Sequence, residues 1–218
     1  MPTHSFAAVF IFSFSMAIGA VLTPGPVTTA IISQAPRLGW KSGLYVSIGH
    51  AITEFLMVVL ITIGLSGILG SPLAQSTIAV LGGILLFYMG GSMLVAAFKG
   101  ELKLPQEARS EDKITPSRLL TLGIATSVSN PFWYAWWMTA AAVYLLEAKA
   151  AAWILVGGFF LGHVSADFIW NLFLASVIGS GRRFMNDRIY SALISACALF
   201  LLYLASRFLI SGFQGFIS

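Results

Sequence analysis

The sequence predicts an all-α integral membrane protein: six transmembrane helices in two inverted three-helix repeats, with helices 1 and 4 broken by proline. Three observations carry this expectation. Of the 218 residues, 58% are hydrophobic and only 9% charged, where a soluble domain carries about 25% charged residues. Six apolar runs are each long enough to cross a hydrocarbon core, which takes about 20 helical residues. A short polar motif recurs inside two of these runs, as Gly49-His50-Ala51-Ile52-Thr53-Glu54-Phe55 and as Gly162-His163-Val164-Ser165-Ala166-Asp167-Phe168. The runs show little two-residue alternation, which favours helices over a barrel.

The elements follow in order. Span 1 covers about 5–35 and is interrupted at Thr23-Pro24-Gly25-Pro26. Span 2 covers about 42–66 and span 3 about 73–98. A polar stretch then carries Lys99, Glu101, Lys103, Glu107, Arg109, Glu111, Asp112 and Lys113. Its charge and its lack of apolar periodicity predict a solvated loop over 99–118. Span 4 covers about 119–146 and is interrupted at Ser129-Asn130-Pro131, span 5 about 151–178, and span 6 about 189–211. The expected organisation is therefore a first repeat over 1–98, the charged loop over 99–118, and a second repeat over 119–218.

Charge sets the expected orientation. Ten of the twelve lysines and arginines fall in the loops after spans 1, 3 and 5 or on their flanks. Lys149 lies on the other side, and Arg207 near the end of span 6 can snorkel. By the positive-inside rule the charged loop faces the cytoplasm and both termini face outward. Basic residues scattered this way set topology; they do not form a nucleic-acid-binding face. The first residues, Met1 to Ser5, lack the basic region of a secretory signal, so the first run is expected to be retained. The single cysteine, Cys197, rules out a dithiol mechanism. Three spans per repeat is an odd number, so the second half enters the membrane upside down, as in many secondary transporters.

The proline breaks are the first candidate site. Pro24 and Pro26 lack N–H groups and crowd the preceding turn, so backbone groups freed there need partners that lipid does not offer. In transporters such half-helix ends face substrate or ion. Gly25 belongs to the same break, and Asn130-Pro131 is a milder version in which an amide side chain can cap a half-helix. A structural kink satisfied by neighbouring helices would use the same residues.

The ionisable residues are the second. Two of the three histidines stand four residues before an acid, a spacing that puts both side chains on one helix face. A charged carboxylate at a helix centre costs roughly 2.5–3.5 kcal/mol on insertion scales. Glu54 and Asp167 can therefore carry a coupling proton or pair with a substrate ammonium, with His50 and His163 relaying protons or tuning them. Asn171 extends the face of His163 and Asp167 by one further step of four. Each acid could instead be a neutral, purely structural hydrogen-bonding group. The same four side chains could also hold a divalent cation. Gly158 with Gly162, Gly82-Gly83 and Gly90-Gly91 read as close-packing faces. The aromatic cluster Phe132, Trp133, Tyr134, Trp136 and Trp137 either walls a cavity or supplies apolar bulk.

Taken together, Leu22-Thr23-Pro24-Gly25-Pro26, the Gly39-Trp40-Lys41-Ser42-Gly43-Leu44 turn, the acid Glu54, the charged central loop and Ser129-Asn130-Pro131 resemble the LysE/RhtB family of bacterial amino-acid exporters. The resemblance covers nearly the whole chain. Glu54 stands where that family usually has aspartate. Phe132 stands where its members more often continue with lysine, and the His163/Asp167 pair is not part of the usual pattern. The resemblance implies six helices, the cytoplasmic membrane, a homodimer, and export of amino acids driven by the proton gradient. The wider superfamily includes metal exporters, so a divalent metal cation exporter is the alternative. No His-Glu-x-x-His motif or activated nucleophile is present, so no enzyme and no cofactor is expected. The expected partners are a small zwitterionic substrate, protons and membrane lipids, and no nucleic acid.

Overall fold

The computed structural model describes residues 1–22, 25–64, 68, 71–104 and 115–217, with Thr139 described by its backbone alone. Every described element is helical. Helix α1 (Phe6–Val21) starts where the Ser5 hydroxyl accepts from the Ala8 amide at 3.2 Å. Helix α2 (Pro26–Leu38) has Pro26 in its first turn, where the missing N–H costs nothing. The two meet at 75°. Gly39, at φ 56°, turns the chain from α2 into α3 (Trp40–Thr62) through a conformation that favours glycine. The expected turn at 39–44 is thus one residue long, and Trp40 already opens the helix.

Helix α4 (Pro72–Phe98) follows, capped by Ser71. The second half opens with α5 (Pro116–Val128), which begins within the expected loop. The Asn130 side chain then caps α6 (Pro131–Trp136), accepting from the Phe132 amide at 3.1 Å. A π-helical turn (Trp137–Ala141) and α7 (Ala142–Ala151) complete this broken segment. Helix α8 (Trp153–Gly181) leads through a short 3₁₀ turn into α9 (Asp187–Gly215). The charged residues from Glu107 to Lys113 lie outside the described residues, as does Leu65-Ser66-Gly67.

Four helices are long and apolar enough to cross a membrane: α3, α4, α8 with its 3₁₀ extension, and α9. The bent pair α1–α2 would make a fifth. The segment 116–151 is divided into pieces of 13, 6, 5 and 10 residues, none of which spans alone. Large apolar side chains such as Phe55, Leu56, Ile169 and Phe173 point outward, as they do in a protein solvated by lipid. The chain is a multi-pass membrane protein.

Packing joins the two halves. Helix α4 lies along α9, α1 along α8, and α3 along α5, while α3 and α8 cross at the centre. The glycine preceding each histidine makes these contacts close. A Cβ on Gly49 would strike the Leu120 carbonyl of α5, and one on Gly162 would strike the Phe10 carbonyl of α1. Gly83 and Gly90 face the backbone of α9 in the same way, so the small-residue faces serve packing. At one end the Met1 ammonium meets Glu147 at 2.7 Å, and Lys149 donates to the Thr62 carbonyl at 2.6 Å. At the other end Gly179 packs on Gly39, and the Leu104 amide donates to Asp187 at 2.8 Å. The turn after α2, residues 99–104 and the start of α9 thus meet at this second end.

Candidate functional site

A cavity of about 320 Å³ lies at the crossing of α3 and α8, at the small end of the range for ligand pockets. Both broken segments reach it. Gly25 and Pro26 come from the start of α2, and Asn130 from the start of α6. His50 and Glu54 enter from α3, and His163, Asp167 and Asn171 from α8. Pro131 points away, into a separate cavity, and packs on Gly82. Pro24 lies outside the described residues. Of the residues expected from sequence to form a site, eight therefore line one cavity.

The two His/acid pairs form one cluster whose centre is Glu54. This side chain is 1% exposed. Its Oε1 lies 2.9 Å from His163 Nε2 and 3.2 Å from His50 Nε2. His163 Nε2 also lies 3.4 Å from Asp167 Oδ2. His163 thus stands between the two acids, one from each half of the chain. Below the cluster, Asn171 donates to the Ser47 hydroxyl at 3.0 Å, tying α8 to α3.

Hydrogen-bond directions constrain the tautomer of His50. The Ser127 hydroxyl donates to the Gly123 carbonyl at 2.6 Å, so its oxygen is left to accept. His50 Nδ1 lies 2.6 Å from that oxygen and is therefore the protonated ring nitrogen. Its Nε2 then faces the Glu54 oxygen with one proton between them, bound to the imidazole or to the carboxyl. A second imidazole presents Nε2 to the same oxygen. Moving a proton here requires no rearrangement of heavy atoms. Glu54 Oε2, Asp167 Oδ2 and His163 Nδ1 are buried and have no hydrogen-bond partner among the described residues. Such groups are costly to leave unmet.

Sequence reasoning left the aromatic cluster undecided between cavity wall and bulk. The structure divides it. Phe132, Trp133, Trp136 and Trp137 line the cavity, while Tyr134 faces the second one. The Trp136 and His163 rings lie 4.4 Å apart, centre to centre. Sequence reasoning missed Phe200 and Leu204 of α9, which also line the cavity; nothing in the sequence distinguishes them from the rest of an apolar helix. It also missed Ser47 and Ser127, whose contacts with Asn171 and His50 depend on which helices meet.

His50, Glu54 and Asp167 offer ligand atoms that all lie within 4.8 Å of one another. Nitrogen and carboxylate oxygens in such a set suit a first-row divalent cation. Among known families, one described as LysE type translocator matches residues 18–212. No solved structure matches the chain.

Proposed function

The chain belongs to the LysE type translocator family, and from that premise we propose that it exports amino acids or related small zwitterions in exchange for protons. It is a membrane exporter by family; the substrate and the coupling are proposed. The observation that carries it is the Glu54 cluster, in which two imidazoles and a second acid converge on one carboxylate inside a cavity bounded by both broken segments. Glu54 and Asp167 carry the coupling proton or take the substrate ammonium, and the two do not coexist. An ammonium entering the cluster displaces a proton, which is the exchange an antiporter needs. His50 and His163 hold the acids in place and pass the proton between them. Asn171 holds α8 against α3. Gly25, Pro26 and Asn130 present half-helix ends to the rest of the substrate, an arrangement suited to a carboxylate. Pro24 and Pro131 set the two breaks.

The proposed frame is six spans in two inverted repeats, 1–98 and 119–218, joined by the loop 99–118. Support comes from the repeated Gly-His-x3-acid motif and from the matching contacts of Gly49 on α5 and Gly162 on α1. The basic residues in the loops after spans 1, 3 and 5 favour the cytoplasmic membrane with those loops inside and both termini outside. The family resemblance supports a homodimer. No catalytic role is proposed.

The test is efflux from proteoliposomes holding labelled amino acids. An imposed proton gradient is expected to drive counterflow, and a protonophore to abolish it. Amino-acid movement that ignores the gradient would remove proton coupling from the reading.

A second reading, divalent cation export, is favoured by the three ligand atoms within 4.8 Å and by the buried Glu54 and Asp167 oxygens that have no hydrogen-bond partner among the described residues. The cation would be cargo. This reading requires that manganese or zinc bind the purified protein in one-to-one ratio and that His50→Ala abolish the binding.

A further inference from the structure

The cavity's ionisable groups are clustered and much of the rest of its lining is apolar, which bears on which amino acid it takes. The acids and imidazoles are confined to one patch, with ligand atoms of His50, Glu54 and Asp167 within 4.8 Å of one another. The rest of the lining is largely apolar, with Phe132, Trp133 and Trp136 from the broken segment and Phe200 and Leu204 from α9, alongside the polar Asn130 and Tyr203. The Trp136 ring lies 4.4 Å from the His163 ring, tilted by 35°, so the aromatic residues begin where the acid patch ends. No lysine or arginine lines the cavity among the described residues. An anionic side chain on the substrate would meet only imidazoles that are already paired with Glu54 and Asp167, and a second cation several bonds away from the first would find no further carboxylate.

A substrate carboxylate has a different place. Thr29 makes the first ladder bond of α2, to the Gly25 carbonyl at 2.9 Å, and Gly25 has no side chain to cap the amides before it. Val27 and Thr28 both line the cavity there. The indole N–H groups of Trp133 and Trp137 are buried and have no acceptor among the described residues, and both residues line the same cavity. These are neutral donors, suited to a carboxylate that is already balanced by its own ammonium.

We propose that this site selects neutral amino acids with a bulky apolar or aromatic side chain, held against Phe132, Trp133 and Trp136 and against Phe200 and Leu204. The proposal rests on the amino-acid reading above and specifies its substrate class. A cavity of about 320 Å³ is underfilled by glycine or alanine. Each methylene that fills such a space discriminates by roughly 10- to 200-fold.

The test is ligand binding to the purified, detergent-solubilised chain, followed by its melting temperature. The panel is L-phenylalanine, L-leucine, L-alanine, L-threonine, L-lysine, L-glutamate and manganese chloride. Phenylalanine and leucine are expected to bind about tenfold or more tighter than alanine, threonine, lysine and glutamate. Trp136→Ala is expected to shrink the phenylalanine-to-alanine ratio by about tenfold. If that variant does not fold, Phe200→Ala in α9 replaces it. Lysine, glutamate or threonine binding as tightly as phenylalanine would overturn the proposal and leave the amino-acid reading standing. Binding of manganese alone would overturn both, and so would a panel in which nothing binds.

Discussion

The two copies of the Gly-His-x3-acid motif match closely in sequence, yet they occupy different positions in the site. Glu54 accepts two imidazoles on one oxygen, at 2.9 and 3.2 Å, whereas Asp167 has one at 3.4 Å. His50 is pinned by Ser127 at 2.6 Å, whereas His163 is held by the rings of Trp136 and Trp137 and has a buried Nδ1 with no partner among the described residues. Glu54 has one methylene more than Asp167 and reaches the histidine of α8, whereas no matching ion pair from Asp167 to His50 occurs among the described residues. The recurring motif thus supplies one central acid and one outlying acid. In the proposed exchange both can carry the proton or take the ammonium, and Glu54, with two imidazoles, is the one on which the proton depends more.

The largest expected effect tests that asymmetry. Glu54→Gln keeps the shape and an acceptor but removes the proton-carrying group. It is expected to lower proton-driven efflux about a hundredfold or more, which corresponds to about 2.7 kcal/mol in barrier. Asp167→Asn is expected to lower it about tenfold. Initial efflux rates from proteoliposomes, normalised to folded protein, decide between them. Equal losses would mean that the two acids act as a symmetric pair and that the extra methylene has no consequence.

The next effect probes where the two halves remain alike. Gly49 and Gly162 each hold a backbone carbonyl of the other half in close contact. Gly49→Ala and Gly162→Ala are each expected to cost about 1–3 kcal/mol, the usual penalty of overpacking. The apparent melting temperature should fall by about 2–4 °C for each kcal/mol. Similar drops at both sites would support packing that follows the repeat. A drop at one alone would extend the asymmetry from the acids to the scaffold.

Much of this was legible in the sequence because membranes make sequence explicit. Apolar runs gave α3, α4, α8 and α9 within a few residues, since lipid leaves few alternatives to a helix. Pro26 and Pro131 marked the starts of α2 and α6, because proline fits a first turn and little else in a helix. The acids and histidines stood out because ionisable groups at membrane depth are rare. Less was legible where the cause lies in another part of the chain. The π-helical turn at Trp137–Ala141 follows no proline or glycine. Pro131 was expected in the site with Asn130, yet it lies on the far side of α6, against Gly82. Phe200, Leu204, Ser47 and Ser127 acquire their contacts only from which helices become neighbours.

The smallest expected effect concerns Ser127, the support that one histidine has and the other lacks. Ser127→Ala removes the acceptor for the buried Nδ1–H of His50. A buried donor left without its partner costs about 1–3 kcal/mol. The low end applies here, because His50 also lines the cavity, so a loss of about 1 kcal/mol is expected. That corresponds to about 2–4 °C in apparent melting temperature. The consequence for function should exceed what this loss of stability suggests. Without Ser127 the Nδ1 proton is no longer fixed, so Nε2 no longer has to share a proton with Glu54. Coupling should then loosen: the ratio of protons moved to substrate moved, read from parallel pH-dye and tracer measurements, should fall while substrate binding holds. An unchanged ratio would mean that His163 alone sets the protonation of Glu54, and the two copies would then differ in role more deeply than their geometry suggests.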